Sequence, residues 1–171
     1  GPATGLPTHT SQGDLQFMLH AAQGEFPRVV ITPGDMEECF NETFNAFNLA
    51  EKYQLPVIIL LDKFICESHK TVDKLDSNLK IDRGLMLTDS QLAKMKDFKR
   101  YEFTESGVSP RSLPGQKNGI FIGNSDEHNE YSYMDESAEN RKKMVDKKFR
   151  KLNSLLKEIK EPKLYGKEKV D

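Results

Sequence analysis

Tryptophan is absent from this chain of 171 residues, and cysteine occurs only twice, at Cys39 and Cys66. Two thiols cannot build a disulfide framework, a four-thiolate zinc site or an iron–sulfur cluster, so any cluster the protein works with must be held by another chain. No apolar run approaches the roughly 20 residues that span a bilayer. The longest is Pro56-Val57-Ile58-Ile59-Leu60-Leu61, and no charged-then-apolar leader opens the chain. A soluble, cytoplasmic protein is therefore expected. An excess of either charge is also missing, since 25 Lys and Arg stand against 27 Asp and Glu for a formal charge of −2. Such a balance gives no broad footprint for nucleic acid or for an anionic membrane surface.

What is present is a polar chain, 36% hydrophobic and 30% charged, of a length that forms one domain with a real core and a solvated tail. It begins at Gly1-Pro2 without Met and inside a motif already under way, so a piece of a longer protein is expected. Residues 1–10, with two Gly, two Pro and three Thr, cannot hold a helix interior and read as a shaped loop. Leu15, Met18, Leu19 and Ala22 then recur at helical spacing behind a capping pair, Ser11 and Asp14, and Gly24 is a natural stop. Arg28-Val29-Val30-Ile31-Thr32, bounded by Pro27 and Pro33-Gly34, reads as a buried strand.

Asp35 and Glu38 form a second capping pair. Behind them Met36, Cys39, Phe40, Thr43, Phe44, Phe47 and Ala50 mark one apolar face of a helix reaching about Gln54. The next run, 57–61, is apolar at every position, as in a parallel sheet covered on both faces. Strand, helix, strand implies a right-handed crossover, and the core is expected mainly within residues 11–66. Thr88 with Gln91 caps a short helix to about Phe98, and Asn118-Gly119-Ile120-Phe121-Ile122-Gly123 reads as one more short strand. Ser137 caps a long helix that ends before Pro162, with Val145, Phe149, Leu152, Leu156 and Ile159 as its apolar stripe. That helix is dense in Lys and Arg. A nucleic-acid or membrane helix would look so, but a solvated face with acidic partners is the ordinary reading.

Few residues carry an evident chemistry. The opening loop combines glycines that let backbone N–H groups approach a ligand with threonine hydroxyls and the start of a helix, a set that suits a carboxylate or phosphate oxygen. A simple helix cap at Thr8 or Thr10 explains the same residues. The loop is neither a Walker A motif nor a GxGxxG. Cys39, on an apolar helix face, and Cys66, just past a strand, read as packed thiols. His9, His20, His69 and His128 have no zinc-type spacing. Asp126-Glu127-His128 either serves a site or makes a polar turn. Spacing alone thus reaches an anion-binding α/β domain.

Together these segments resemble the α-subunit family of the 2-oxoacid:ferredoxin oxidoreductases, over almost the whole chain. Gly1-Pro2-Ala3-Thr4-Gly5-Leu6-Pro7-Thr8 is similar to the family's GPSTGLPT loop, and Gly24-Glu25-Phe26-Pro27-Arg28 to its HGEFPR segment. Ala46-Phe47-Asn48-Leu49-Ala50-Glu51-Lys52-Tyr53, Ile81-Asp82-Arg83-Gly84, Gly107-Val108-Ser109-Pro110-Arg111, Leu113-Pro114-Gly115 and Asp126-Glu127-His128 follow in the family's order. Gln23 stands where the family often has His, and His9 where Lys or Arg is common.

The resemblance implies an α/β fold, a partial doubly wound parallel sheet of a thiamine-diphosphate-binding domain of the pyrimidine type. An irregular connector and a long charged helix follow it. The expected division is 1–68 for the second part of the α/β domain, 69–136 for the connector with its short helix and strand, and 137–171 for the amphipathic helix and the start of a linker. The implied function is that of an alpha-subunit fragment, inactive alone, in an enzyme that oxidatively decarboxylates a 2-oxoacid such as pyruvate or 2-oxoglutarate. The acyl group goes to coenzyme A and the electrons to ferredoxin. Thiamine diphosphate would face this chain, while its Mg2+ and a [4Fe-4S] cluster would sit on a β-subunit partner. Thr4, Gly5 and Thr8 would contact the substrate's carboxylate and keto oxygens, and Asp126 its far end. No catalytic residue, metal ligand, nucleic acid or membrane contact is implied. A non-catalytic assembly module that docks partner chains is the alternative.

Overall fold

A computed structural model of the chain describes residues 13–166. Its centre is a strand–helix–strand unit. β1 (Val29–Ile31) and β2 (Val57–Ile59) pair in parallel, Val29 against Val57, Val30 against Ile58 and Ile31 against Ile59. α2 (Met36–Tyr53) runs between them in sequence. Its start is fixed by the expected pair: Asp35 Oδ1 accepts from the Glu38 amide at 2.8 Å, and Glu38 Oε2 accepts from the Gly34 amide at 2.8 Å. Its end is fixed at Gln54, whose left-handed φ of 51° turns the chain toward β2.

Periodicity picked the wrong face of α2. The buried residues are Ala46, Leu49 and Tyr53, whereas Phe47 is 70% exposed and Phe40 lies at the surface. Two apolar stripes coexist on this helix, and packing closes the one that meets the sheet and the C-terminal segment. The hydrophobic cluster consists of Val29, Leu49, Tyr53, Leu55, Val108 and Leu155, with Ile31, Val57 and Leu152 against it. Four of these six lie within residues 11–66 as expected; Val108 and Leu155 are brought in from far along the chain.

The other helices are short: α1 (Asp14–His20), α3 (Lys63–Glu67), α4 (Asp89–Lys94), α5 (Ala138–Arg150) and α6 (Leu152–Leu155). α1 stops earlier than its glycine signal and buries no residue; Leu15, Phe17 and Leu19 all remain exposed. α4 carries the full reciprocal capping box between Thr88 and Gln91. The expected strand at 118–123 does not form. That segment is held by side chains instead of a ladder, with Ser112 Oγ donating to the Gly119 carbonyl at 2.6 Å and the Ile122 amide donating to Ser132 Oγ at 3.1 Å. Ile120 is left 88% exposed.

The expected long C-terminal helix is interrupted at Lys151. Its buried face is also not the expected stripe. Asn140, Met144, Lys147 and Leu155 are buried, while Phe149, Leu156 and Ile159 are exposed. The segment is tied to α2 by polar contacts: Tyr53 Oη and Lys52 Nζ both donate to Glu158 Oε1, at 2.7 and 2.6 Å, and Lys160 and Lys163 pair with Glu42 and Glu38. Among the described residues no helix is long and apolar enough to cross a membrane.

Candidate functional site

Parallel strands have two unlike ends. At the carboxyl ends of β1 and β2 the chain continues into two helix starts, capped by Asp35 and by Asp62, whose Oδ1 accepts from the Ile65 amide at 2.8 Å. At the amino ends, the residues that enter the strands border a cavity of about 400 Å³. Phe26 and Pro27 approach it before β1, and Leu55 and Pro56 before β2. Met144 adds to this apolar floor, and α5 with Arg100, Tyr101 and His128 forms the opposite wall. The volume falls within the range of ordinary small-molecule sites.

The wall is unusually cationic. Residues 140, 144 and 147 of α5 and its C-terminal cap, Lys151, follow one another at helical spacing, so Lys147 and Lys151 share the inward face with Met144. Lys147 is only 5% exposed, and its Nζ donates to the Tyr101 carbonyl at 2.8 Å. Lys151 Nζ donates to the Gln54 carbonyl at 2.8 Å, which places an ammonium at the negative end of the α2 dipole. Gln54 is the hub of this wall. Its Oε1 accepts from Arg100 Nη1 at 3.0 Å and its Nε2 donates to the Ser109 carbonyl at 2.6 Å.

Burial, aided by the neighbouring charges of Lys151 and Arg100, pushes the Lys147 ammonium down to about 7. Burial likewise pushes Lys151 down to about 8, with Arg100 and Lys148 contributing. Arg100 is lowered too, chiefly by burial. None of these three cations forms an ion pair with a described carboxylate. By contrast, Arg141 and Lys148 at the rim share Glu127, at 2.6 and 3.5 Å. Burial raises the Glu127 carboxyl, but these two cations outweigh it and hold the group below its usual value. His128 stacks on the Tyr101 ring with centroids 3.7 Å apart, and its buried Nδ1 has no hydrogen-bond partner among the described residues. Burial lowers its imidazole, which favours the neutral form.

The sequence-derived site residues fall elsewhere. Thr4, Gly5 and Thr8 lie outside the described residues. Asp126 is exposed, its amide held by Asn124 Oδ1 at 2.9 Å in a polar turn. Of the residues beside it, His128 lines the cavity, and Glu127 holds the rim cations Arg141 and Lys148. Neither cysteine enters this wall, and Cys66 is exposed where a packed thiol was expected. Sequence reasoning missed Lys147, Lys151 and Arg100. The one available signal was the 140, 144, 147, 151, 155 spacing, in which lysines occupy positions of an inward face.

Comparison with known proteins places this geometry in context. A protein-family model described as pyruvate flavodoxin/ferredoxin oxidoreductase, thiamine diphosphate-binding, matches residues 1–147. The chain is 43% identical over 164 residues to the 2-oxoacid:ferredoxin oxidoreductase subunit alpha of Saccharolobus solfataricus, covering 94% of this chain and 25% of that protein. With 2-oxoacid:ferredoxin oxidoreductase 1, subunit alpha, of Aeropyrum pernix it shares 39% identity over 175 residues, covering all of this chain and 27% of the relative. Its fold superposes with a TM-score of 0.86 and 36% identity on a solved 2-oxoglutarate:ferredoxin oxidoreductase from Magnetococcus marinus with 2-oxoglutarate, coenzyme A and succinyl-CoA bound. That match covers 98% of this chain and 29% of the other. The chain therefore spans about a quarter of the length of the curated relatives it matches. With a family match across 147 residues and this likeness of fold, the chain belongs to the pyruvate flavodoxin/ferredoxin oxidoreductase family of thiamine-diphosphate-binding domains.

Proposed function

We propose that this chain supplies the alpha-type share of a 2-oxoacid:ferredoxin oxidoreductase. The reading is carried by the match over 98% of the chain to an enzyme that holds 2-oxoglutarate and coenzyme A. In the proposed reaction the 2-oxoacid carboxylate leaves as CO2 and the acyl carbon bonds to the thiol sulfur of coenzyme A, which gives up its proton. The two electrons released reduce two ferredoxins, and a [4Fe-4S] cluster, when bound, would supply the one-electron relay to them. The two cysteines here cannot supply its four thiolates, and we assign the cluster to a β-subunit partner. Phe17, Phe47 and Phe64, between 65% and 77% exposed, give the chain apolar surface of the kind that partner chains cover.

In open α/β sheets ligands gather at the carboxyl ends of the strands. Here that edge carries Asp35 and Asp62, both already used as helix caps. The lysines nearby, Lys63, Lys70 and Lys163, are already paired with Glu67, Glu37 and Glu38. Such an edge fits the neutral ring of thiamine diphosphate and not its diphosphate, which supports assigning the diphosphate and Mg2+ to the partner. When bound, thiamine diphosphate supplies the nucleophile and the electron sink for loss of CO2.

The contribution proposed for this chain is to hold the substrate. Thr4 and Thr8 hydroxyls and the Gly5 amide donate to the carboxylate and keto oxygens, and Asp126 reads the substrate's far end. Neutral donors suit a carboxylate that must be fixed and then lost, since they stabilise it without the grip of a full opposite charge. Substituting Thr8→Val in the complete enzyme removes one hydrogen bond to a charged group. That loss costs about 1.5–3 kcal/mol, so kcat/KM for the 2-oxoacid falls about tenfold or more. Steady-state kinetics with ferredoxin or viologen as acceptor measures this, and unchanged kinetics would remove Thr8 from the site.

A further inference from the structure

The cationic cavity at the amino ends of β1 and β2 is not explained by packing. A buried Lys or Arg is ordinarily paired with a carboxylate, because removing an ion from water is costly unless an opposite charge compensates. Here Arg100 on the connector, Lys147 on α5 and Lys151 at its C-terminal cap converge on one space; none forms an ion pair with a described carboxylate, and Glu130, engaged with Lys99, offsets the Lys147 charge only from a distance. Each ammonium has three donors and spends one on a backbone carbonyl; Lys147 Nζ also lies 5.8 and 6.0 Å from the Tyr101 and Phe103 ring centroids, contacts that use no donor. The remaining charged groups bordering the space are Arg141 and Lys148, already shared with Glu127, and the exposed Glu25.

We propose that this cavity binds a small molecule carrying a phosphate group, with Arg100, Lys147 and Lys151 holding the phosphate oxygens. A phosphate is favoured over a carboxylate because three cations reach the space from two elements. An ion with three or more acceptor oxygens and a charge near −2 satisfies them, whereas a carboxylate offers two oxygens and one charge. The floor of Phe26, Pro27, Leu55, Pro56 and Met144 provides apolar contact for an organic body attached to that phosphate. His128, stacked on Tyr101 with Nδ1 unpartnered among the described residues, adds a polar atom on the same wall. This site does not rest on the 2-oxoacid reading, since it uses none of Thr4, Gly5, Thr8 or Asp126.

The test is lysine protection in the complete enzyme. The protein is treated with limiting acetic anhydride near neutral pH in a phosphate-free buffer, and acetylation of Lys147 and Lys151 is mapped by mass spectrometry. Inorganic phosphate, pyrophosphate and adenosine monophosphate are then added in turn at millimolar concentration. Both lysines border the open space and are expected to react in the free enzyme, Lys151 faster than the more buried Lys147. A bound phosphate raises an adjacent ammonium by a pH unit or more and so slows its labelling about tenfold, while exposed lysines such as Lys142 keep their rate. Protection by adenosine monophosphate at lower concentration than by inorganic phosphate shows that the apolar floor takes an organic body. Equal protection by the two assigns the site to the phosphate group alone. In the Lys151→Met enzyme, protection of Lys147 should be lost. Two results overturn the proposal. One is that Lys147 and Lys151 label freely with every anion present. The other is that both are unreactive from the start and unaffected by anions, which means that the space is closed to small molecules in the complete enzyme.

Discussion

Replacing Lys147 with methionine should make the protein more stable, not less. Methionine keeps the length of the side chain and its contact with the neighbouring apolar surface but removes the charge. Lys147 is held at about 7 against an ordinary value of 10.5, chiefly because burial disfavours its charged form. The unfolded chain therefore binds the proton more tightly than the folded one, and between about pH 7 and 10.5 stability rises with pH. Below pH 7 both forms are protonated and the full penalty of burying the charge is present. At one pH unit per about 1.4 kcal/mol the gross penalty is on the order of 4–5 kcal/mol. Loss of the hydrogen bond to the Tyr101 carbonyl returns about 1 kcal/mol. Lys147→Met is thus expected to stabilise α5 by about 2–4 kcal/mol near pH 6, with the gain shrinking steadily toward pH 9. Hydrogen exchange of the α5 amides, corrected for intrinsic rates and compared between the two proteins from pH 6 to 9 without phosphate, measures this directly. A variant that is less stable at every pH, or a gain that does not shrink as pH rises, would refute the claim that an uncompensated charge is buried there. The same substitution should abolish any stabilisation by phosphate.

Two further substitutions probe the framework around the cavity. Gly107 has a φ of +79°, and a side chain there would place its Cβ 2.3 Å from the Lys147 carbonyl oxygen. Gly107→Ala should therefore push the 104–109 loop off α5 and destabilise the protein by more than about 1–3 kcal/mol, read as accelerated hydrogen exchange in both segments. Leu155 is 2% exposed and is the residue that brings α6 into the cluster around Val29 and Tyr53. Leu155→Ala should cost about 2–5 kcal/mol in chemical denaturation and release the Glu158 contact with Tyr53, whereas a change under about 1 kcal/mol would show that the helix is held by its salt bridges alone.

Much of the local structure was legible because it is decided locally. The Asp35–Glu38 and Thr88–Gln91 caps form as their spacing predicts, since each closes a hydrogen bond within one turn. The β-branched runs around Val30 and Ile58 become paired parallel strands because the helix between them forbids a hairpin. Family membership was legible too, for it rests on ordered short motifs and needs no coordinates. What sequence could not decide was which of two apolar stripes on α2 meets the sheet. It could not place lysines inside and phenylalanines outside on α5 and α2, or tell that 118–123 would be anchored by Ser112 and Ser132 in place of a strand. Each of these depends on residues distant along the chain.

The shortage of cysteine and the balance of charge are enough to determine that these 171 residues cannot by themselves supply four thiolates to a cluster and carry no large excess of either charge. Those are sums over composition, and folding cannot change them. Tertiary structure decided where the charge gathers. A chain with a formal charge of −2 still concentrates Arg100, Lys147 and Lys151 on one cavity wall, because Gln54 and Tyr101 present carbonyls there and the acids are spent elsewhere on Arg141, Lys148 and Lys99. The physical reason is range. Composition fixes totals, and helix and strand periods fix faces. Only packing brings distant residues within the few ångströms over which hydrogen bonds and burial act.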